Sequence, residues 1–176
     1  MPVVVMVCAI VLSGCAPGAT MSSGSRVKLY ANVSDLARDS SLVVEVTVSQ
    51  QDEHAETTSS SAHTTSLAKV DATFSPPGLS DRAKEDFSAA PTEVVVRQLT
   101  PGAGKLDSSG GPILREGGRY LLFLVPSGVP GEGADQFYIT GGTAGLFAAE
   151  DDGKSYTWLG NEGDALPPRL TVEDLQ

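Results

Sequence analysis

Apolar residues recur along the chain in short blocks, separated by stretches rich in Gly, Pro, Ser and acidic side chains, which is the rhythm of strands and turns. Residues 42–48, LVVEVTV, form the first strand-like block after the N-terminal segment. Residues 67–74 alternate Leu67, Lys69, Asp71 and Thr73 against Ala68, Val70, Ala72 and Phe74, the period of a half-buried strand. Three consecutive β-branched valines in residues 92–99, TEVVVRQL, and the dense run RYLLFLV at 119–125 predict two strands at the core. A shorter strand is expected at 137–140. Residues 146–151 and 154–159 bracket Asp152-Gly153, a dipeptide that suits a two-residue hairpin turn because it supplies the positive φ angles.

The stretches between these blocks have their own signals. Residues 50–66 carry Ser, Thr, His and acidic side chains with neither helical nor strand periodicity, which predicts an exposed loop. Residues 75–91 hold Pro76-Pro77-Gly78 and a charged run at 81–86, a loop with one helical turn. Ser34 is placed to cap a short helix over 34–38, and residues 171–175, TVEDL, are placed to open a terminal one. Short strands without alternating helices predict an all-β fold, a sandwich or a small barrel, with short peripheral helices.

At the N-terminus, residues 3–12 are almost wholly apolar, and Ser13 and Gly14 lead into Cys15, as in a signal-peptide h-region and cleavage site. The run is too short to span a bilayer, which takes about 20 apolar residues. The pattern Leu12-Ser13-Gly14-Cys15 resembles the lipobox of bacterial lipoproteins. That resemblance implies a signal peptide over 1–14, a diacylglyceryl group on Cys15 and cleavage before it. The product would be anchored by lipid to the extracytoplasmic face of the cell membrane. No Lys or Arg precedes Arg26, so the basic n-region of such a signal is expected upstream of Met1. The small residues of 16–25, APGATMSSGS, make residues 15–33 a tether and leave 34–176 as a single domain.

Both cysteines, Cys8 and Cys15, fall in the targeting region, so the mature domain is expected to hold neither a disulfide nor a thiolate metal site. The formal net charge is −10, and Lys and Arg are scattered singly from Arg26 to Arg169. Nucleic acid, which needs a basic stripe, is therefore not an expected partner. An acidic domain on a tether would stand away from anionic headgroups.

The order SLVVEVTV, TEVVVRQL, REGGRYLLFLV and FYITGGTAGLF resembles small secreted lipoproteins of actinobacteria, over residues 30–159. More distantly, the valine strand followed by a Gly-containing turn and Tyr120-Leu121-Leu122-Phe123-Leu124 is similar to OB barrels of the netrin and tissue-inhibitor type. The second likeness implies a small closed or partly open OB-like barrel. Inhibitors of that type chelate a protease zinc through the free amine and carbonyl of an N-terminal cysteine, and an acylated Cys15 is poorly placed to do so. OB barrels also host oligonucleotide and oligosaccharide binders, so the fold leaves the ligand class open.

Four groups of residues invite chemical readings. Asp107-Ser108-Ser109-Gly110-Gly111-Pro112 and Ser61-Ala62-His63-Thr64 resemble the nucleophile and histidine segments of trypsin-like proteases, but the chain is too short for two barrels and the extra serine disturbs the oxyanion loop. His54 and His63 flank a loop with Glu53 and Glu56 at a spacing that fixes no metal geometry, so no metal is expected. Glu150-Asp151-Asp152-Gly153 lacks the ligand order of a calcium loop. Tyr156 and Trp158 share one face of the last strand, where they either pack in the core or stack on a ligand. The sequence thus predicts a non-enzymatic binding module for a protein or glycan of the cell envelope, with no catalytic residues and no cofactor. The alternative is a cell-wall carbohydrate-binding module or glycan-acting enzyme, with Tyr156 and Trp158 stacking and paired carboxylates as acid and base.

Overall fold

The computed structural model describes residues 28–55, 57, 62–87, 89–99, 112–160 and 163–176. Among them the chain runs through α1 (Val33–Arg38), β1 (Leu42–His54), β2 (His63–Phe74), α2 (Asp81–Asp86), β3 (Glu93–Leu99) and β4 (Arg119–Pro126). It continues through β5 (Gln136–Ile139), β6 (Leu146–Ala149), β7 (Ser155–Trp158) and β8 (Arg169–Thr171). The strands form one sheet in the order β1-β2-β3-β5-β4-β6-β7-β8, and β1 also pairs with β4. That additional pairing closes β1-β2-β3-β5-β4 into a ring. Its seams are antiparallel except β3–β5, which is parallel where Val95 meets Gln136 and Val96 meets Phe137. The fold is an all-β, OB-like small barrel, with β6, β7 and β8 appended as a ribbon.

Strand β4 makes this possible. One of its edges runs along β1, and the other is divided, with residues 124–126 paired to β5 and residues 120–122 to β6. Alternation along β1 and β4 then sorts side chains into two cores. Leu42, Val44, Val46 and Val48 join Tyr120, Leu122 and Leu124 in one, with Ala68, Val94, Val96, Leu114, Ile139 and Leu146. Val43, Leu121 and Phe123 face the other way and pack with Tyr30, Leu36, Phe147, Tyr156, Leu170 and Leu175 from α1, the ribbon and the C-terminus. Burial on both faces is why these two strands read as continuous apolar runs.

Several expectations are revised. Of the region expected as a loop over 50–66, most of the described residues are strand: β1 continues to His54 and β2 begins at His63, with these two histidines in register. Register shifts after Glu45 and after Val48 break the alternation, and Thr64, Thr65 and Ser66 are buried polar residues, so the hydrophobic pattern hides the pairing. The cap of α1 is Asn32 rather than Ser34, because the Asp35 amide donates to Asn32 Oδ1 at 2.8 Å and the helix starts at Val33. The hairpin between β6 and β7 is wider than two residues. Its strands stop at Ala149 and resume at Ser155, and of Asp152 and Gly153 only Gly153 has positive φ. Asp152 instead accepts from the amides of Lys154 and Ser155, at 2.8 and 2.9 Å.

Strand β8 went unforeseen, whereas the helical turn expected at 81–86 is α2, with Ser80 accepting from the Ala83 amide at 3.1 Å. The terminal helix is a 3-10 turn, Val172–Leu175, closed by a reciprocal cap between Thr171 and Asp174. Tyr30, assigned by the sequence to the tether, is buried in the outer core.

Candidate functional site

Glu45 interrupts an otherwise apolar strand and shares the outward face of β1 with Val43, which carries its carboxylate beneath the ribbon. It is 7% exposed. Two donors meet it there: Arg119 Nη2 donates to Oε1, and the Tyr156 hydroxyl donates to Oε2 at 2.8 Å. A buried carboxylate needs such partners, since an unpaired one would cost several kcal/mol. Burial first, and then the bond to Glu45, push the Tyr156 phenol above its usual range. The bond to Glu45, with its charge, holds the Arg119 guanidinium above its own. Alongside, Thr47 Oγ1 donates to Asp71 Oδ2 at 2.6 Å and is the leading cause of a lowered Asp71 carboxyl. The triad fastens β7 to β1 and β4. Its phenol, made a weaker acid and bound to the carboxylate, is suited to holding a proton rather than transferring one.

Of the proposed stacking pair, Tyr156 is only 1% exposed and meets Phe74 edge-on at 6.2 Å. Trp158 is half-buried, and its Nε1 donates to the Ala144 carbonyl at 3.1 Å. A Cβ at Gly160 would fall 2.2 Å from the indole, so glycine is required where the chain crosses that ring. Tyr156 is thereby a core residue, and Trp158 alone of the two reaches the surface.

A second cluster forms at the far end of the β1–β2 pair. The His54 and His63 rings stack, with centroids 4.5 Å apart and planes 8° from parallel. Arg97 Nη2 meets His63 Nδ1 at 3.2 Å, and Arg97 Nη1 donates to Gln136 Oε1 at 3.3 Å. Arginine only donates, so His63 Nδ1 is the acceptor in that contact. His54 Nε2 lies 3.0 Å from Thr65 Oγ1. Strand pairing thus assembles two histidines, Thr65, Arg97 and Gln136 from four strands of the ring, β1, β2, β3 and β5. The chain matches no known protein family model and no curated protein sequence.

Among the described residues, no group of three or more His, Cys, Asp or Glu side chains is gathered as metal ligands would be. Asp152 is held by its own turn and by Arg169, which lies 3.3 Å from Oδ2; the amide of Lys154 is the main cause of its lowered carboxyl. Cys15 and the serines at 108 and 109 lie outside the described residues. Sequence reasoning passed over Glu45 and Arg97. Only Glu45 had left a signal, a lone acid inside LVVEVTV.

Proposed function

We propose that this protein is a lipoprotein anchored through Cys15 to the extracytoplasmic face of the cell membrane, and that its barrel is a non-enzymatic binding module in the cell envelope. The observation that carries the reading is the pattern Leu12-Ser13-Gly14-Cys15 closing a short apolar run, ahead of a domain whose sequence has no further cysteine. A closed ring supports it by giving loops a rigid frame from which to bind. The internal commitment of Glu45 and Tyr156 to each other also favours a binding role over a glycan-acting one, which would draw on such groups at the surface.

Crosslinking in intact cells, followed by identification of what is joined to the loop end near His54, tests the module. A specific envelope partner that is lost when His54 and Arg97 are both changed to Ala supports the reading. Cleavage of purified wall glycan by the isolated protein, with no crosslinked partner, overturns it.

A further inference from the structure

The chain enters the fold through a fixed point. The Tyr30 amide donates to Asp164 Oδ1 at 2.8 Å, and the Ala165 amide donates back to the Tyr30 carbonyl at 2.9 Å. Lys28 Nζ donates to Asp39 Oδ2 at 2.7 Å and sits 5.3 Å from the centre of the Tyr30 ring. The Tyr30 hydroxyl donates to the same carboxylate oxygen at 3.1 Å. These bonds staple residues 28–30 against the C-terminal end of α1, just before β1 begins. The entry point therefore lies at one pole of the barrel, and the His54–His63 end lies at the other. Strand β1 has 13 residues. At roughly 3.3 Å per residue it separates the poles by up to about 40 Å.

We infer that the domain is displayed in one sense: the α1 pole, with Lys28, Leu29 and Arg38, faces the lipid surface, and the β1–β2 end faces outward. The inference rests on the reading of Cys15 as the lipid anchor. From Cys15 to Lys28 the chain reaches at most about 45 Å when fully extended. Bringing the β1–β2 end down to the membrane would lift the entry pole by the length of the barrel, which draws the connection nearly taut.

The acylated protein in phosphatidylcholine vesicles containing a headgroup-labelled acceptor lipid tests this. The mature sequence offers no thiol other than Cys15, so donor dyes can be placed singly through Arg38→Cys or Glu53→Cys. Energy transfer to the lipid is expected to be at least about twofold greater from position 38 than from position 53, given the separation set by β1. Equal or reversed transfer from protein that cofloats with vesicles overturns the orientation and leaves the anchor standing. Failure of the acylation-competent protein to cofloat overturns the anchor, and the orientation with it.

Discussion

Inside the ring, Leu42, Val44, Val46, Val48 and their neighbours are almost all aliphatic, whereas the outer core mixes Tyr30, Phe123, Phe147 and Tyr156 with the carboxylate of Glu45. The two share β1 and β4 and differ in what holds them. The inner core needs volume. The outer core also needs matched hydrogen bonds, because its tyrosines and its carboxylate carry polar atoms out of water. A closed ring can be sealed by apolar packing alone, while a three-stranded ribbon laid over it has few residues with which to set its position. The bond from Tyr156 to Glu45 supplies one such fixed point.

The comparison breaks most directly at β4, whose faces serve both cores. Phe123→Ala should cost about 3–5 kcal/mol and Leu122→Ala, on the opposite face, about 2–5 kcal/mol in urea unfolding. Both should leave a single transition, since the cores share a strand. Separate melting of the ribbon would show that they are independent units.

A smaller effect isolates the polar part of the outer core. Tyr156→Phe keeps the ring and removes the donor to Glu45, and should cost about 1–3 kcal/mol. The same variant should change the alkaline limb. Because the Tyr156 phenol is raised above its ordinary value of 10.0, its contribution is fully present below that value and is lost as pH rises toward its folded value. Wild-type stability should therefore fall above about pH 10 more steeply than that of Tyr156→Phe. Parallel curves in pH-dependent unfolding would contradict the geometry.

At the acid limb the exposed pairs matter less. Asp39 is lowered chiefly by its bond to Lys28, and Asp71 chiefly by its bond to Thr47. Their stabilisation is present above the ordinary value of 3.8 and is lost as pH falls through their folded values. The double change Asp39→Asn and Asp71→Asn should flatten that loss by no more than about 1 kcal/mol. Smallest of all, Leu99→Ser at an exposed position should stay within about 0.5 kcal/mol of wild type.

What the sequence made legible follows from the same contrast. LVVEVTV and RYLLFLV were recognisable as strands because both faces are buried, and TEVVVRQL because valine crowds a pleated strand. β8 was missed because Arg169-Leu170-Thr171 buries one apolar residue, too few to show a period. The continuation of β1 and β2 was hidden because its polar side chains are satisfied across the sheet, Thr65 by His54 on β1 and His63 by Arg97 on β3. The parallel β3–β5 seam and the Glu45–Tyr156 bond, which spans 111 positions, have no local signature. The two-residue turn at Asp152-Gly153 misled because Asp152 holds its turn through its carboxylate instead of a positive φ.

The anchor is the claim on which place and display depend, and detergent phase partitioning of membranes from cells expressing wild type or Cys15→Ser tests it. Wild type should enter the detergent phase and Cys15→Ser the aqueous phase. Identical partitioning of the two would contradict the account.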